Sequence, residues 1–320
     1  MNSRFGIWCI VGLLLFPIGV ACAQKELKFN SDGRFKIVQL TDMHISLKRG
    51  MSEVCYELIE EAIRTEHPDL LVFTGDQVTE YQPRQAWERL VQQMKKSRIP
   101  WTMVFGNHDH EQGMTREEIF AMVKAAPNCL MEKGNVKGVG NYVLSVKGAD
   151  SQQEVINLYF MDSHANCEQP KVGGYQWIDF SQIDWFRKES KSRSLPSLVF
   201  FHIPLPEYNE ALKEKIRGEK QEDICAPRLN SGLFTAFKES GCVMGVFAGH
   251  DHENDFIGQY YGIALGYGRV SAGKNAYGSL APGIRVIVLE EGKDGFETYI
   301  RLKGGEIKDR CHYPDSFIQE

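Results

Sequence analysis

The sequence predicts an α/β protein in which two β-sheets pack together. Three observations lead there. A short apolar run, a polar cluster and a helical pattern follow one another repeatedly between Phe35 and Val123. From Asn141 the pattern changes to apolar runs paired across a polar turn. The segment from Phe256 to Leu302 is then strand-rich, with turns expected at Gly262, Gly266, Gly268, Gly273 and Gly278. Period-2 and continuous apolar runs read as strands, and spacing of three and four as helices.

The ends and the bulk composition set the frame. Arg4 precedes an apolar run from Phe5 to Val20, and Ala21-Cys22-Ala23 follows as an A-x-A site. Residues 1–23 therefore read as a secretory signal cut after Ala23, leaving 24–320 as a single exported domain, periplasmic or secreted. Pro17 and Gly19 interrupt the run and a polar chain follows, so no retained membrane helix is expected. A lipid anchor at Cys22 is the alternative. With 42% hydrophobic and 25% charged residues the composition is ordinary globular, and the core needs no staples. A net charge of -5 excludes a general basic surface, so no nucleic-acid partner is predicted. Beyond the leader stand Cys55, Cys129, Cys167, Cys225, Cys242 and Cys311, an even number that export permits to pair.

Taken in order, Phe35 to Leu40 is a strand ending in Thr41-Asp42-Met43-His44. Val54, Leu58, Ile59, Ala62 and Ile63 then mark a helix stopped by Pro68. Asp69 to Thr74 is a strand ending in Gly75-Asp76, and Trp87, Leu90, Val91 and Met94 mark the next helix. Pro100 opens the strand that ends in Gly106-Asn107-His108-Asp109. From Asp42 to Asp76 is 34 residues and from Asp76 to Asn107 is 31, each the length of a strand-helix-strand unit. Parallel strands joined this way put all three clusters on one edge of the sheet. Thr115 to Val123 is a helix with a Thr115–Glu118 capping box. Tyr142 to Val146 and Val155 to Met161 form a hairpin around Gly148–Ser151, and the second strand ends in Asp162-Ser163-His164. Asp184 to Lys188 is helical. Leu198 to Phe201 leads into His202-Ile203-Pro204, and Val243 to Ala248 into Gly249-His250-Asp251-His252.

Five strand ends thus supply Asp42 and His44, Asp76, Asn107 and His108, His202, and His250 and His252. A lone Gly-Asn-His-Asp is as readily a turn; five such clusters, each after its own apolar run, are harder to read that way. Oxygen and imidazole donors without a thiol suit Zn, Fe or Mn. The donors outnumber the needs of one ion, and two ions about 3.5–4 Å apart with a bridging carboxylate would use them.

In order, Asp42-Met43-His44, Gly75-Asp76, Gly106-Asn107-His108-Asp109, His202-Ile203-Pro204 and Gly249-His250-Asp251-His252 resemble the five blocks of the calcineurin-like metallophosphoesterase superfamily, across nearly the whole mature chain. The resemblance implies a four-layer α/β/β/α sandwich with two packed mixed sheets. It also implies a dinuclear centre of divalent or mixed-valence ions (Fe, Zn or Mn). Asp42, His44, Asp76 and His252 would hold the first ion, with Asp76 bridging, and Asn107, His202 and His250 the second. His108 would protonate the leaving oxygen and Asp109 would orient it. Two cations would neutralise phosphate oxygens and turn a bound water into the attacking hydroxide at neutral pH, while His has a suitable pKa for the leaving alkoxide. Within the superfamily, Gly174–Ile178 and Gly266–Arg269 resemble the purple acid phosphatase-related group. Purple enzymes place an iron-binding Tyr three residues after the bridging Asp, and here that position is Thr79, with Tyr81 two residues further on. The expected function is an exported phosphomonoesterase acting on a small phosphorylated substrate. The alternatives are a phosphodiesterase or nucleotide hydrolase with the same centre, and a metal- or phosphate-binding protein.

Other polar residues take bland readings. His67 reads as surface and His110 as solvent-facing; His164 stands at a strand end on the active edge. Tyr175, Trp177, Tyr267 and Arg269 read as loop packing, with Arg269 on a substrate phosphate as the functional alternative. Lys213 to Lys220 mixes both signs and reads as a solvated helix or insertion.

Overall fold

The computed structural model describes residues 26–47 and 52–318; the predicted leader and Cys22 lie outside them. In chain order the elements are β1 (Leu27–Lys28), β2 (Arg34–Leu40), α1 (Glu53–Glu66), β3 (Leu70–Thr74), α2 (Pro83–Ser97), β4 (Trp101–Val104) and α3 (Arg116–Lys124). There follow β5 (Tyr142–Lys147), β6 (Glu154–Phe160), α4 (Phe180–Arg193), β7 (Ser197–Phe200), α5 (Tyr208–Ala211), α6 (Leu233–Ser240) and β8 (Val243–Ala248). The chain closes with β9 (Ile257–Tyr260), β10 (Ile263–Tyr267), β11 (Gly283–Glu290), β12 (Phe296–Leu302) and β13 (Ile307–Tyr313).

Two mixed sheets result. One has the order β1-β5-β6-β7-β8-β10-β9 and the other β13-β12-β11-β2-β3-β4. In the second, β2, β3 and β4 are parallel neighbours, as the repeated strand-helix units predict. In the first, β6, β7 and β8 are parallel neighbours as well.

Side-chain alternation shows how the layers stack, since successive residues of a strand face opposite sides. Leu158, Phe160, Leu198, Phe200 and Phe247 join the core between the sheets, together with Ile37, Val72 and Ile287. Their neighbours Tyr159, Met161, Val199, Phe201, Val246 and Ala248 face the other way, into a core shared with Ile183 and Phe186 of α4 and with Phe234 and Phe237 of α6. Helices α1 to α3 cover the six-stranded sheet, α1 burying Cys55, Leu58, Ile59 and Ala62 and α2 burying Trp87, Leu90 and Met94. The order of layers is therefore helix, sheet, sheet, helix.

One device sets the register of the first sheet. Tyr142, Phe160, Phe200 and Phe247 are direct cross-strand partners. Their rings follow one another at 4.9, 5.3 and 5.6 Å between centroids. Such pairs add about 0.5–1.5 kcal/mol each beyond their burial. Because the ladder is level, the residues just beyond each strand end come out in one row.

Some expectations change. Gly266 lies within β10 rather than in a turn. Lys213–Lys220 forms no helix, only bridges to the β9 region at Arg217 and Lys220. α4 starts at Phe180, and α6 and β13 join the predicted elements. All six cysteines of the described residues are free thiols, so the even count does not translate into disulfides. Among the described residues, no helix is long and apolar enough to cross a membrane.

Candidate metal centre

The carboxyl ends of the two parallel strand trios meet on one rim. Asp42 and His44 follow β2, Asp76 follows β3, Asn107 follows β4, His202 follows β7, and His250 and His252 follow β8. All seven are buried. Two groups form there: Asp42, His44 and His252 have ligand atoms within 4.8 Å of one another, and so do Asp76, His202 and His250. Each group takes residues from both sheets. Asn107 joins the second group, its Oδ1 lying 3.1 Å from His202 Nε2.

The backbone is bent to achieve this. Asp42, His44, Asp76 and His250 all have left-handed φ, between 44° and 83°. The motif glycines allow close approach as well. A Cβ on Gly106 would stand 2.0 Å from Asp76 Oδ1, and one on Gly249 1.9 Å from Thr41 Oγ1. Only glycine leaves room there for the loops to close.

The donor atoms converge and leave two of their number unsatisfied. Asp42 Oδ2 accepts from the Thr41 hydroxyl at 2.8 Å and from the His250 amide at 2.9 Å. Its Oδ1 is buried without a hydrogen-bond partner, and so is His250 Nε2. His44 Nε2 and His252 Nε2 face each other at 3.0 Å. Asp76 Oδ2 lies 3.2 Å from His202 Nε2 and 3.9 Å from His44 Nε2, between the two groups. His202 Nδ1 donates to Thr74 O at 2.8 Å and His252 Nδ1 to Tyr277 O at 3.3 Å. Both rings thereby turn Nε2 inward, the orientation that ligating imidazoles adopt through their outer partners.

Electrostatics agree at His44, His250, Asp42 and Asp76. Burial pushes His44 down to about 4 and His250 to about 3, so both rings stand neutral and ready to donate a lone pair. Burial alone would raise Asp42 and Asp76. The surrounding imidazoles outweigh it, holding Asp42 at about 2 and Asp76 well below the usual carboxylate range. His202 is pushed up to about 9, since Asp76 outweighs the burial that opposes it. Two orphaned buried donor atoms, two neutral imidazoles and two ionised carboxylates together fit two cations; a protein without ions there would leave Asp42 Oδ1 and His250 Nε2 unsatisfied.

Residues outside the motifs complete the pocket. Tyr277 stacks on His252, with ring centroids 4.0 Å apart, and Tyr175 meets His250 edge-on at 4.4 Å. Asn275 Nδ2 donates to the carbonyls of Met43 and His44 at 2.6 and 2.7 Å. Tyr277 and Asn275 lie in a Gly-rich loop whose spacing gives no sign of this role. Beyond Asn107 opens a cleft of about 760 Å³ lined in part by His110, Glu111, Arg116, Lys137 and His164. His110 and His164 therefore border a cleft next to the centre. Arg116 is held by Asp162 and donates to the carbonyls of Gly106 and His164 at 2.9 and 2.8 Å.

One expectation is corrected, and Arg269 packs into the fold as the sequence suggests. Asp109 does not orient His108. Its carboxylate accepts four backbone N–H groups, from Gly106, Asp76, Gln77 and Val78, at 2.8 to 3.1 Å. It clasps the loop after β3 to the loop after β4. Arg269 meets no substrate space; it is buried, pairs with Asp255 and donates to Ala281 O. Tyr267 is also buried, its hydroxyl donating to Asp251 at 2.6 Å. His67 is exposed at the end of α1, as expected.

A family model described as calcineurin-like phosphoesterase matches residues 35–254. The chain is 34% identical to "Probable inactive purple acid phosphatase 29" of Arabidopsis thaliana, over 88% of this chain and 83% of that protein. It is 32% identical to "Phosphatase DCR2" of Saccharomyces cerevisiae, over 88% of this chain and 56% of that protein. Its fold is similar to a dimetal phosphatase from Danio rerio, with a TM-score of 0.59 at 12% identity over 87% of this chain and 98% of that one. A purple acid phosphatase from yellow lupin seeds superposes with a TM-score of 0.54 at 12% identity, over 90% of this chain and 55% of that one.

Proposed function

Because the chain belongs to the calcineurin-like phosphoesterase family, we propose that it is an exported dinuclear-metal phosphoester hydrolase acting on small phosphomonoesters. The observation that supports this best is the pair of buried Asp/His groups whose inward donor atoms Asp42 Oδ1 and His250 Nε2 lack partners. Asp42, His44, Asp76 and His252 would hold one ion, and Asp76, Asn107, His202 and His250 the other. Two Fe, Zn or Mn ions held there would neutralise phosphate oxygens and acidify a water at neutral pH.

The chain's own residues do the rest. His108 is half-exposed and lines the pocket with His44, Asp76, His250 and His252, so it borders the space where an ester would sit. Its backbone N–H donates to Asp76 Oδ1 at 2.8 Å, which fixes the ring's root to the bridging carboxylate. From there His108 protonates the leaving oxygen, a role worth about 10²–10⁴ in rate. Tyr175 and Tyr277 wall the pocket beside the imidazoles. With Thr79 in place of the Tyr of purple enzymes, and Tyr81 turned 68% to solvent, a tyrosinate-coloured iron centre is not expected. The monoester assignment is supported by the phosphatase names of the relatives. Export is supported by the leader pattern in residues 1–23.

The test is hydrolysis of p-nitrophenyl phosphate and bis(p-nitrophenyl) phosphate side by side, with Mn, Zn and Fe supplied in turn. Faster monoester turnover supports the assignment. Faster diester turnover replaces it with a phosphodiesterase. Two bound metals without turnover of either ester favours a binding protein; three relatives, probable inactive purple acid phosphatases 29, 14 and 28 of Arabidopsis thaliana, carry the word "inactive" in their names.

A further inference from the structure

We propose that Glu111 is a positioning residue of the reaction, fixing the ring of His108 so that its Nε2 faces the leaving oxygen of an alcohol. This rests on His108 being the acid. His108 Nδ1 and Glu111 Oε2 lie 2.6 Å apart. A carboxylate oxygen accepts, so Nδ1 carries a hydrogen and Nε2 is the nitrogen left for the pocket. That pocket holds His44 and Asp76, and the His44 ring lies 5.9 Å from that of His108.

The turn between the two residues is built to hold this pairing. The Glu111 amide donates to the His108 carbonyl at 3.2 Å, closing a turn that brings both side chains to one side. Asp109, inside the turn, is pinned by four backbone N–H groups and is not available to His108. Asp162, which lines the larger cleft, is occupied by Arg116. Glu111 also lines the larger cleft, so His108 stands between the ion pocket and the space open to a leaving alcohol.

The step balances simply. Water supplies the oxygen that bonds to phosphorus, and the phosphorus–ester oxygen bond breaks with its electron pair staying on the ester oxygen. The Nε2 hydrogen of doubly protonated His108 passes to that oxygen, giving the free alcohol, while the Nδ1 hydrogen stays on Nδ1, hydrogen-bonded to Glu111; the proton released by the attacking water goes to solvent, from which Nε2 is reprotonated. A ring free to rotate would present Nε2 for only part of the time. The loss falls on esters whose leaving oxygen needs that proton, since alkoxides leave poorly and nitrophenolate leaves well.

The experiment compares kcat on β-glycerophosphate and on p-nitrophenyl phosphate for wild type, Glu111→Ala, Glu111→Gln and His108→Ala. Metal content and melting temperature are recorded for each. The expected result is a drop of about tenfold or more in the alkyl-to-aryl ratio for Glu111→Ala at unchanged metal content. Glu111→Gln, which keeps an oxygen acceptor, recovers part of it and carries the test if the Ala variant does not fold. An unchanged ratio in both Glu111 variants, with a lowered ratio in His108→Ala, overturns the proposal alone. An unchanged ratio in His108→Ala overturns the acid assignment beneath it. Wild type holding two metals yet hydrolysing neither ester overturns the hydrolase reading itself.

Discussion

Four of the seven residues that would hold the ions have unusual backbone. Left-handed φ in a non-glycine costs on the order of 1–3 kcal/mol and persists only where surroundings enforce it. At Asp76 the enforcement comes partly from Asp109, which ties the Asp76 loop to Gly106. This separates two neighbours in function. Asp109→Ala leaves four buried N–H groups without their acceptor, each costing about 1–3 kcal/mol. It is expected to lower both metal content and melting temperature. His108→Ala is expected to keep two metals and the wild-type melting temperature while kcat falls about 10²–10⁴. Metal analysis of the two variants checks this; equal metal loss in both would contradict it. The sequence could not separate these roles. Adjacent residues on a chain point to different sides, so the carboxylate next to His108 is the one turned away. Glu111, three residues on, reaches the ring only because a turn closes between them.

At the scale of elements, strand ends and glycines decide where donors meet. Gly106→Ala would drive a Cβ to 2.0 Å from Asp76 Oδ1. It is expected to abolish binding of at least one metal, read by metal stoichiometry; retention of both ions would show that the loop can shift. A second junction, away from the centre, fastens α1 to the six-stranded sheet. Buried Glu66 pairs with Lys36 of β2 and Arg301 of β12 and accepts from the Tyr299 hydroxyl at 2.6 Å. Burial opposes its ionisation, but Tyr299, Lys36 and Arg301 outweigh burial and hold its carboxyl below the ordinary 4.5. A lowered folded-state pKa contributes stability that is present above the ordinary value and lost as pH falls through the lowered one. Melting temperature is therefore expected to fall as pH drops below 4.5. Glu66→Gln is expected to weaken that dependence and to cost about 3–5 kcal/mol at neutral pH, having broken a buried ionic group. A variant with the wild-type acid slope would contradict the linkage. The parallel strands β2, β3 and β4 were legible because apolar runs and helical spacing repeat at nearly constant intervals. Helix α6 was not, because its run Leu233–Phe237 is short and nearly all apolar, without a polar face to mark its period.

Across the whole molecule the candidate centre is a staple between the two sheets. Each donor group takes members from both, so an ion bound at either position would hold the sheets together. A ligand present at 100 times its Kd stabilises a fold by about 2.7 kcal/mol, which for a domain of this size corresponds to about 4 °C. Chelation is expected to lower the melting temperature by at least that much, and re-addition of metal to restore it. The motifs told which residues to expect at the rim because strand, cluster and helix followed in fixed order. The Tyr175, Asn275 and Tyr277 contacts arise from loops that cross over the rim from distant parts of the chain, and local pattern holds no record of them. The central claim, that seven residues from five strand ends hold two ions that hydrolyse a phosphoester, is tested most directly by titrating metal-free protein with Mn, Zn or Fe while following p-nitrophenyl phosphate hydrolysis. Activity should rise to a plateau at two equivalents, and Asp76→Asn should remove it. A plateau at one equivalent, or two ions bound without turnover, would contradict the account.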